Sequence, residues 1–213
     1  MNYGIPKLKN DVQDRDSEAW RKLCAYIELV ISEERQEFRP VEGIGSELYQ
    51  QIYTLPASIA KMKQVKYVNL YGSVLRQIPP EIGEMEALET FSSYTSYDLH
   101  WYPYEIIHCK LLQRSMVSTR ALYTHLKGKR GFPDLHGNPV RHYGDSVKCS
   151  VCQKEMDYSQ TNQIWISLQV GTDVLPLLAN LCSTACEVLL PRPPEGYVQF
   201  PHKGGARSNY IRR

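Results

Sequence analysis

Apolar residues first become periodic at residues 17–38 (SEAWRKLCAYIELVISEERQEF), where Trp20, Leu23, Cys24, Ile27 and Ile31 recur at helical spacing. Arg21, Lys22, Glu28 and Glu33 occupy the opposite side, so the spacing predicts an amphipathic helix with Cys24 as a small core residue. Pro40, Gly43 and Gly45 end it and open a loop. Beyond the loop the pattern repeats. Aligning LPASIAKMKQVKYV (55–68) with IPPEIGEMEALETF (78–91) at a shift of 23 pairs Leu55 with Ile78, Pro56 with Pro79, Ile59 with Ile82, Met62 with Met85, Val65 with Leu88 and Val68 with Phe91. A third copy follows at a shift of 24, placing Pro103, Ile106, Cys109 and Leu112 on Pro79, Ile82, Met85 and Leu88. Cys109 thereby becomes a core position.

A period of 23 or 24, with Val65-x-x-Val68-x-Leu70-x-x-Ser73-x-Leu75 in the frame L-x-x-L-x-L-x-x-N/C-x-L, resembles the leucine-rich repeat family over residues 46–125. Ser73 and Ser96 stand where that family has Asn, and Ser93 and Asp98 replace leucines in the second copy. A helical pair with the prolines as breakers is the alternative. The resemblance implies one short strand per repeat, about three repeats, and caps to cover their ends. It also implies which side chains face outward on the concave side: Tyr67, Asn69 and Tyr71, then Thr90, Ser92 and Tyr94, then Arg114, Met116 and Ser118. Tyrosine, arginine and methionine on one face suit a protein interface. The loop SYTSYDLHWYPY (93–104) adds Tyr97, His100, Trp101, Tyr102 and Tyr104, with Trp101 counted among the partner-binding residues; packing under the repeat edge is the other reading of this loop.

Residues 126–148 are Gly-, Pro- and Lys/Arg-rich with little periodicity and read as a connector. After them come Cys149-x-x-Cys152 and Cys182-x-x-x-Cys186. Two close pairs are what a tetrahedral four-thiolate zinc site requires: one from a knuckle, one from positions i and i+4 at a helix start. The alternative is four unliganded thiols. The arrangement resembles a treble-clef zinc finger over 147–190, with QIWISLQV (163–170) as a strand and CSTACEVLL as the final helix; it departs from that pattern in carrying Gln153 where Gly is usual. Four thiolates leave no open position on the metal, which makes the zinc structural. His142 and His202 are the competing ligands.

Composition adds three things. With 42% hydrophobic residues over 213 positions the chain has material for a core, and six cysteines are too few for a disulfide scaffold. The first twenty residues lack a signal-type apolar run and the stretch Val174–Leu181 is too short to span a bilayer, so a cytoplasmic location without membrane contact is expected. The net charge of +2 conceals 11 Lys+Arg against 16 Asp+Glu up to Cys109 and 14 against 7 after it, an asymmetry that can orient a charged partner or draw the halves together. The end, HKGGARSNYIRR, reads as a basic tail. No phosphate-loop, dinucleotide, zincin or nucleophile-elbow motif occurs.

The sequence thus predicts an α/β chain: a helical cap (1–45), a short leucine-rich repeat solenoid (46–125), a connector (126–148), a zinc module (149–200) and a tail (201–213). The pattern is similar to compact bacterial leucine-rich repeat proteins, which implies a non-enzymatic protein that scaffolds or neutralises one partner, as an immunity protein does a toxin. The alternative is a nucleic-acid-associated module acting through the zinc finger and basic half.

Overall fold

A computed structural model describes Leu8 and residues 12–210. It is a mixed α/β structure with parallel and antiparallel sheets, and it divides into two compact units. Among the described residues, one unit comprises 12–121 with the short segment 170–173; the other comprises 122–169 and 174–210 with Leu8. No described helix is long and apolar enough to cross a membrane.

The first unit begins with helix α1 (Glu18–Ser32), capped by Ser17, whose hydroxyl accepts from the Trp20 N–H. The expected helix to residue 38 stops six residues early. Glu34 enters the left-handed region at φ 50°, the Arg35 N–H turns back to the Val30 carbonyl, and Glu37–Phe38 form strand β1 instead. The buried stripe of α1 is Ala19, Leu23, Tyr26, Ile27 and Val30, rotated from the expected one so that Tyr26 stacks on Phe38 at 5.6 Å. Cys24 is only half-buried at its edge. Short helices α2 (Pro40–Ile44) and α3 (Ser46–Tyr49) follow.

Strands β2 (Tyr67–Asn69) and β3 (Thr90–Ser93), then the two-residue β4 (Tyr102–Pro103) and β5 (Arg114–Val117), come next. β1, β2, β3 and β5 form one parallel sheet in that order. The register sets Val68 beside Phe91 and Phe91 beside Ser115, offsets of 23 and 24, the same shifts that align the sequence copies. A 3-10 helix precedes β2, β3 and β5 at Ala57–Lys61, Pro80–Glu84 and Tyr104–His108. Each contributes one fully buried isoleucine: Ile59, Ile82 and Ile106. Neither of the first two copies is a helical pair.

Hydroxyls satisfy the turns after β2 and β3 in a specific way. Ser96 donates to the Leu70 carbonyl at 3.0 Å, so its oxygen is left to accept from Ser73 at 2.7 Å. Ser118, expected on the outer face, is buried and accepts from the Thr95 N–H. Ser93, at a leucine position, pairs with the buried Tyr102 hydroxyl at 2.7 Å. Cys109 is buried with its thiol on the Ile82 carbonyl, and burial pushes that thiol up to about 12, which leaves it unreactive.

The second unit carries β6 (Ser146–Lys148) and β7 (Glu155–Asp157), an antiparallel pair, then the long strands β8 (Asn162–Val170) and β9 (Asp173–Leu181) and helix α4 (Thr184–Val188). Two expectations are corrected here. The connector is part of the core: Phe132, Leu135 and Val140 are buried, and the Trp165 indole donates to the Pro133 carbonyl. Gln163, fully buried, exchanges two hydrogen bonds with the Val140 backbone. Nor is the C-terminal stretch a loose tail up to residue 210; residues 211–213 lie outside the described set. His202 bridges Trp165 in antiparallel fashion, stacks on Tyr210 at 4.7 Å and meets the edge of Phe132 at 4.6 Å. Gly204, at φ 71°, lies where a Cβ would strike the Pro133 carbonyl, so only glycine passes there.

Burial, with a smaller contribution from nearby His125, pushes the His202 imidazole down to about 3. Its Nδ1 accepts from the Gly204 N–H, so the neutral ring belongs to the fold. The unfolded chain titrates near 6.5 and holds more protons between these values, so stability falls as pH drops from about 6.5 toward 3. His202→Phe should lower stability at pH 7 yet lose less melting temperature between pH 7 and 5 than the parent; parallel profiles would remove His202 as the cause. Acid sensitivity of the cysteines is common to both proteins and cancels.

Candidate metal centre

The first cysteine pair lies at the turn between β6 and β7. Cys149 accepts the Gln153 N–H on its carbonyl and donates its own N–H to Lys154, closing a tight knuckle. Gln153 sits at φ 63°, the left-handed conformation that glycine adopts most readily, and its side-chain amide returns to the Cys149 carbonyl at 3.2 Å. The second pair flanks the start of α4, where Ser183 caps the helix by accepting the Cys186 N–H at 3.3 Å. The i, i+4 spacing therefore puts Cys182 and Cys186 on one side of the first turn.

What joins the pairs is a polar clasp absent from any motif. The Ser150 N–H donates to the Asn180 carbonyl at 2.7 Å, and the Asn180 N–H donates back to the Ser150 hydroxyl at 2.9 Å. Both residues are fully buried, and the Asn180 side chain accepts from Gln163. The knuckle is thus fastened near the end of β9, two residues before Cys182.

As a result the four Sγ atoms of Cys149, Cys152, Cys182 and Cys186 lie within 4.8 Å of one another. Cys182 is 3.6 Å from both Cys152 and Cys186. These are not disulfide distances, which are near 2.0 Å. A metal with four thiolates at about 2.3 Å has tetrahedral edges of about 3.8 Å, which these spacings match. Cys149 and Cys186 are buried, Cys182 is half-buried and Cys152 is exposed, so the centre sits just under the surface. Burial raises the Cys149 thiol, but the backbone N–H groups of Cys152, Val151 and Cys182 outweigh it and hold it at about 7. Four thiols so close cannot all ionise without a cation between them; the group fits a metal ion as donor set and as geometry.

His142 and His202 are not among the clustered ligands. The partner-face residues divide. Tyr71, Tyr94, Arg114 and Met116 are exposed, Tyr67, Asn69 and Thr90 are half-buried, and Ser92 is buried between its neighbours. Trp101 is 4% exposed and is withdrawn from that surface: it is core, as are His100, Tyr102 and Tyr104, while Tyr97 stays exposed. No protein-family model matches the chain, and no curated protein matches it significantly.

Ser150→Ala should cost about 1–3 kcal/mol by stranding the buried Asn180 N–H, and should weaken metal retention against a chelator. Gln153→Gly should raise the melting temperature, since relief of the left-handed strain, about 1 kcal/mol, exceeds the loss of one partly exposed hydrogen bond. Thermal melts with and without chelator read both; an unchanged Ser150→Ala protein would remove the clasp from the account.

Proposed function

We propose that the chain is a non-enzymatic recognition protein: a short leucine-rich repeat solenoid capped by α1 that binds one protein partner, with a treble-clef-like module held by structural zinc. The observation that carries this reading is a groove of about 530 Å3 lined by residues of β2, β3 and β5. Tyr71 and Tyr94, 54% and 53% exposed, and Met116, 48% exposed, line it together with Tyr67, Asn69 and Ser92. Large aromatic side chains so exposed cost solubility unless something covers them, and Tyr and Met are residues that interfaces favour. The repeat register supports the solenoid, since equal offsets of sequence and strand pairing are what stacked repeats require. Four thiolates support zinc over harder cations, and a closed coordination sphere supports a structural role.

Tyr71→Ala or Tyr94→Ala should weaken capture of the protein partner by about 10- to 30-fold, with little dependence on salt. Capture of nucleic acid instead, collapsing as salt rises and lost on Lys/Arg changes after residue 126, would overturn the reading. Elemental analysis should find one zinc per chain, lost in Cys152→Ser together with thermal stability.

A further inference from the structure

On the reading of this face as a protein-binding surface, we propose that the groove takes an arginine side chain of the partner, stacked on Tyr71 and Tyr94 and paired with the Asp173 carboxylate. The two tyrosines come from successive repeats and stand with ring centroids 6.2 Å apart, tilted by 36°. Their exposed faces carry the negative side of the ring quadrupole, which attracts a cation.

Asp173 lines the same groove and is tied to Ser115 by hydrogen bonds. The Ser115 hydroxyl has two acceptors for its one proton, the Asp173 Oδ2 at 2.6 Å and the Val170 carbonyl at 2.8 Å, while the Asp173 N–H donates to that hydroxyl's oxygen at 3.1 Å. Beside it, the Thr172 hydroxyl donates to the Ser115 carbonyl at 2.8 Å. Gly171, at φ 57°, approaches so closely that a Cβ would lie 2.8 Å from the Arg114 carbonyl carbon and the Ser115 nitrogen. Asp173 Oδ1 has no protein donor among the described residues, and it is the atom left for an incoming N–H.

The same unit shows what this combination accepts. Its own Arg39 lies over the Tyr67 ring at 5.2 Å and donates from Nε to Glu37 at 2.8 Å: ring, carboxylate and guanidinium together. Tyr71, Tyr94 and Asp173 bring rings and a carboxylate to one groove, and no Lys or Arg is among its described lining residues. Arg114, in the first row of the face, is not part of the groove lining. The unit as a whole carries 12 Lys+Arg against 17 Asp+Glu over 11–121 and 170–173, net −5, which favours a basic partner. A flat guanidinium stacks and offers a fork to the carboxylate, which an ammonium does not.

The test is titration of the isotope-labelled full chain with acetyl-Gly-Arg-Gly-amide and with its uncharged citrulline counterpart, followed by amide NMR shifts. Saturable shifts at Tyr71, Tyr94 and Asp173 are expected for the arginine peptide in the millimolar range. The citrulline peptide should bind about tenfold more weakly. Asp173→Asn keeps an acceptor for Ser115, and it should bring the arginine peptide down to the citrulline level with the fold unchanged by circular dichroism. Equal binding of the two peptides, no saturable shift, or shifts confined to other surfaces would overturn the proposal. If Asp173→Asn left capture of the protein partner intact while Tyr94→Ala abolished it, the arginine reading would fall and the interface reading would stand; if neither changed it, both would fall.

Discussion

Two buried hydrogen bonds between Ser150 and Asn180 decide what the second unit can be. Without them the knuckle at Cys149 and the helix start at Cys186 would be separate local structures, each presenting two thiols to nothing. With them, the pairs converge on one point, and the strand that carries Asn180 is fixed to the segment that precedes the knuckle through Gln163 and Val140. The clasp is made by the two backbone N–H groups and the Asn180 Oδ1, while the buried Asn180 Nδ2 has no hydrogen-bond partner among the described residues, so losing the clasp would strand a further buried donor at a cost of about 1–3 kcal/mol. A metal ion bound at the converged thiols would add folding free energy on the order of 10 kcal/mol to this unit.

The repeat unit is organised by a different constraint. A strand of three or four residues cannot bury its own inner face, so Val68 and Phe91 are buried only because a neighbouring strand stands at the same height. The turns after these strands hold carbonyls that must be satisfied away from water, and the Ser73–Ser96 pair ending on Leu70 does this with hydroxyls. Each hydroxyl has one proton to give, so the pair works only as a chain in one direction, Ser73 to Ser96 to Leu70. Ser118 faces inward for the opposite need: its hydroxyl oxygen accepts from the Thr95 N–H.

Periodic features were readable from the residues alone. The shifts of 23 and 24 reappear as strand register, and the cysteine spacing reappears as four sulfurs within reach of one ion, because both depend on local geometry that repeats or closes within a few residues. Failures came where tertiary contacts choose among locally equal options. Helix α1 turns by one position because Tyr26 finds Phe38, and residues 33–38 leave the helix because the sheet has room for a first strand. Residues 126–148 and 201–210 look structureless in composition, yet Phe132, His202 and Tyr210 pack on one another across roughly 70 residues of chain. Trp101 seemed a surface anchor because aromatic density does not reveal which rings are covered. The Ser150–Asn180 clasp had no sequence signal at all, being two ordinary polar residues whose value lies in meeting.

Form and proposed work divide between the units: one offers a tyrosine-lined face, the other brings four cysteines together where a metal ion could be held. The most direct test of the account is zinc-edge X-ray absorption on the full chain purified without added metal. Four sulfur scatterers at about 2.3 Å, one zinc per chain, are expected. A coordination shell containing nitrogen or oxygen ligands, or a folded chain free of zinc, would contradict it.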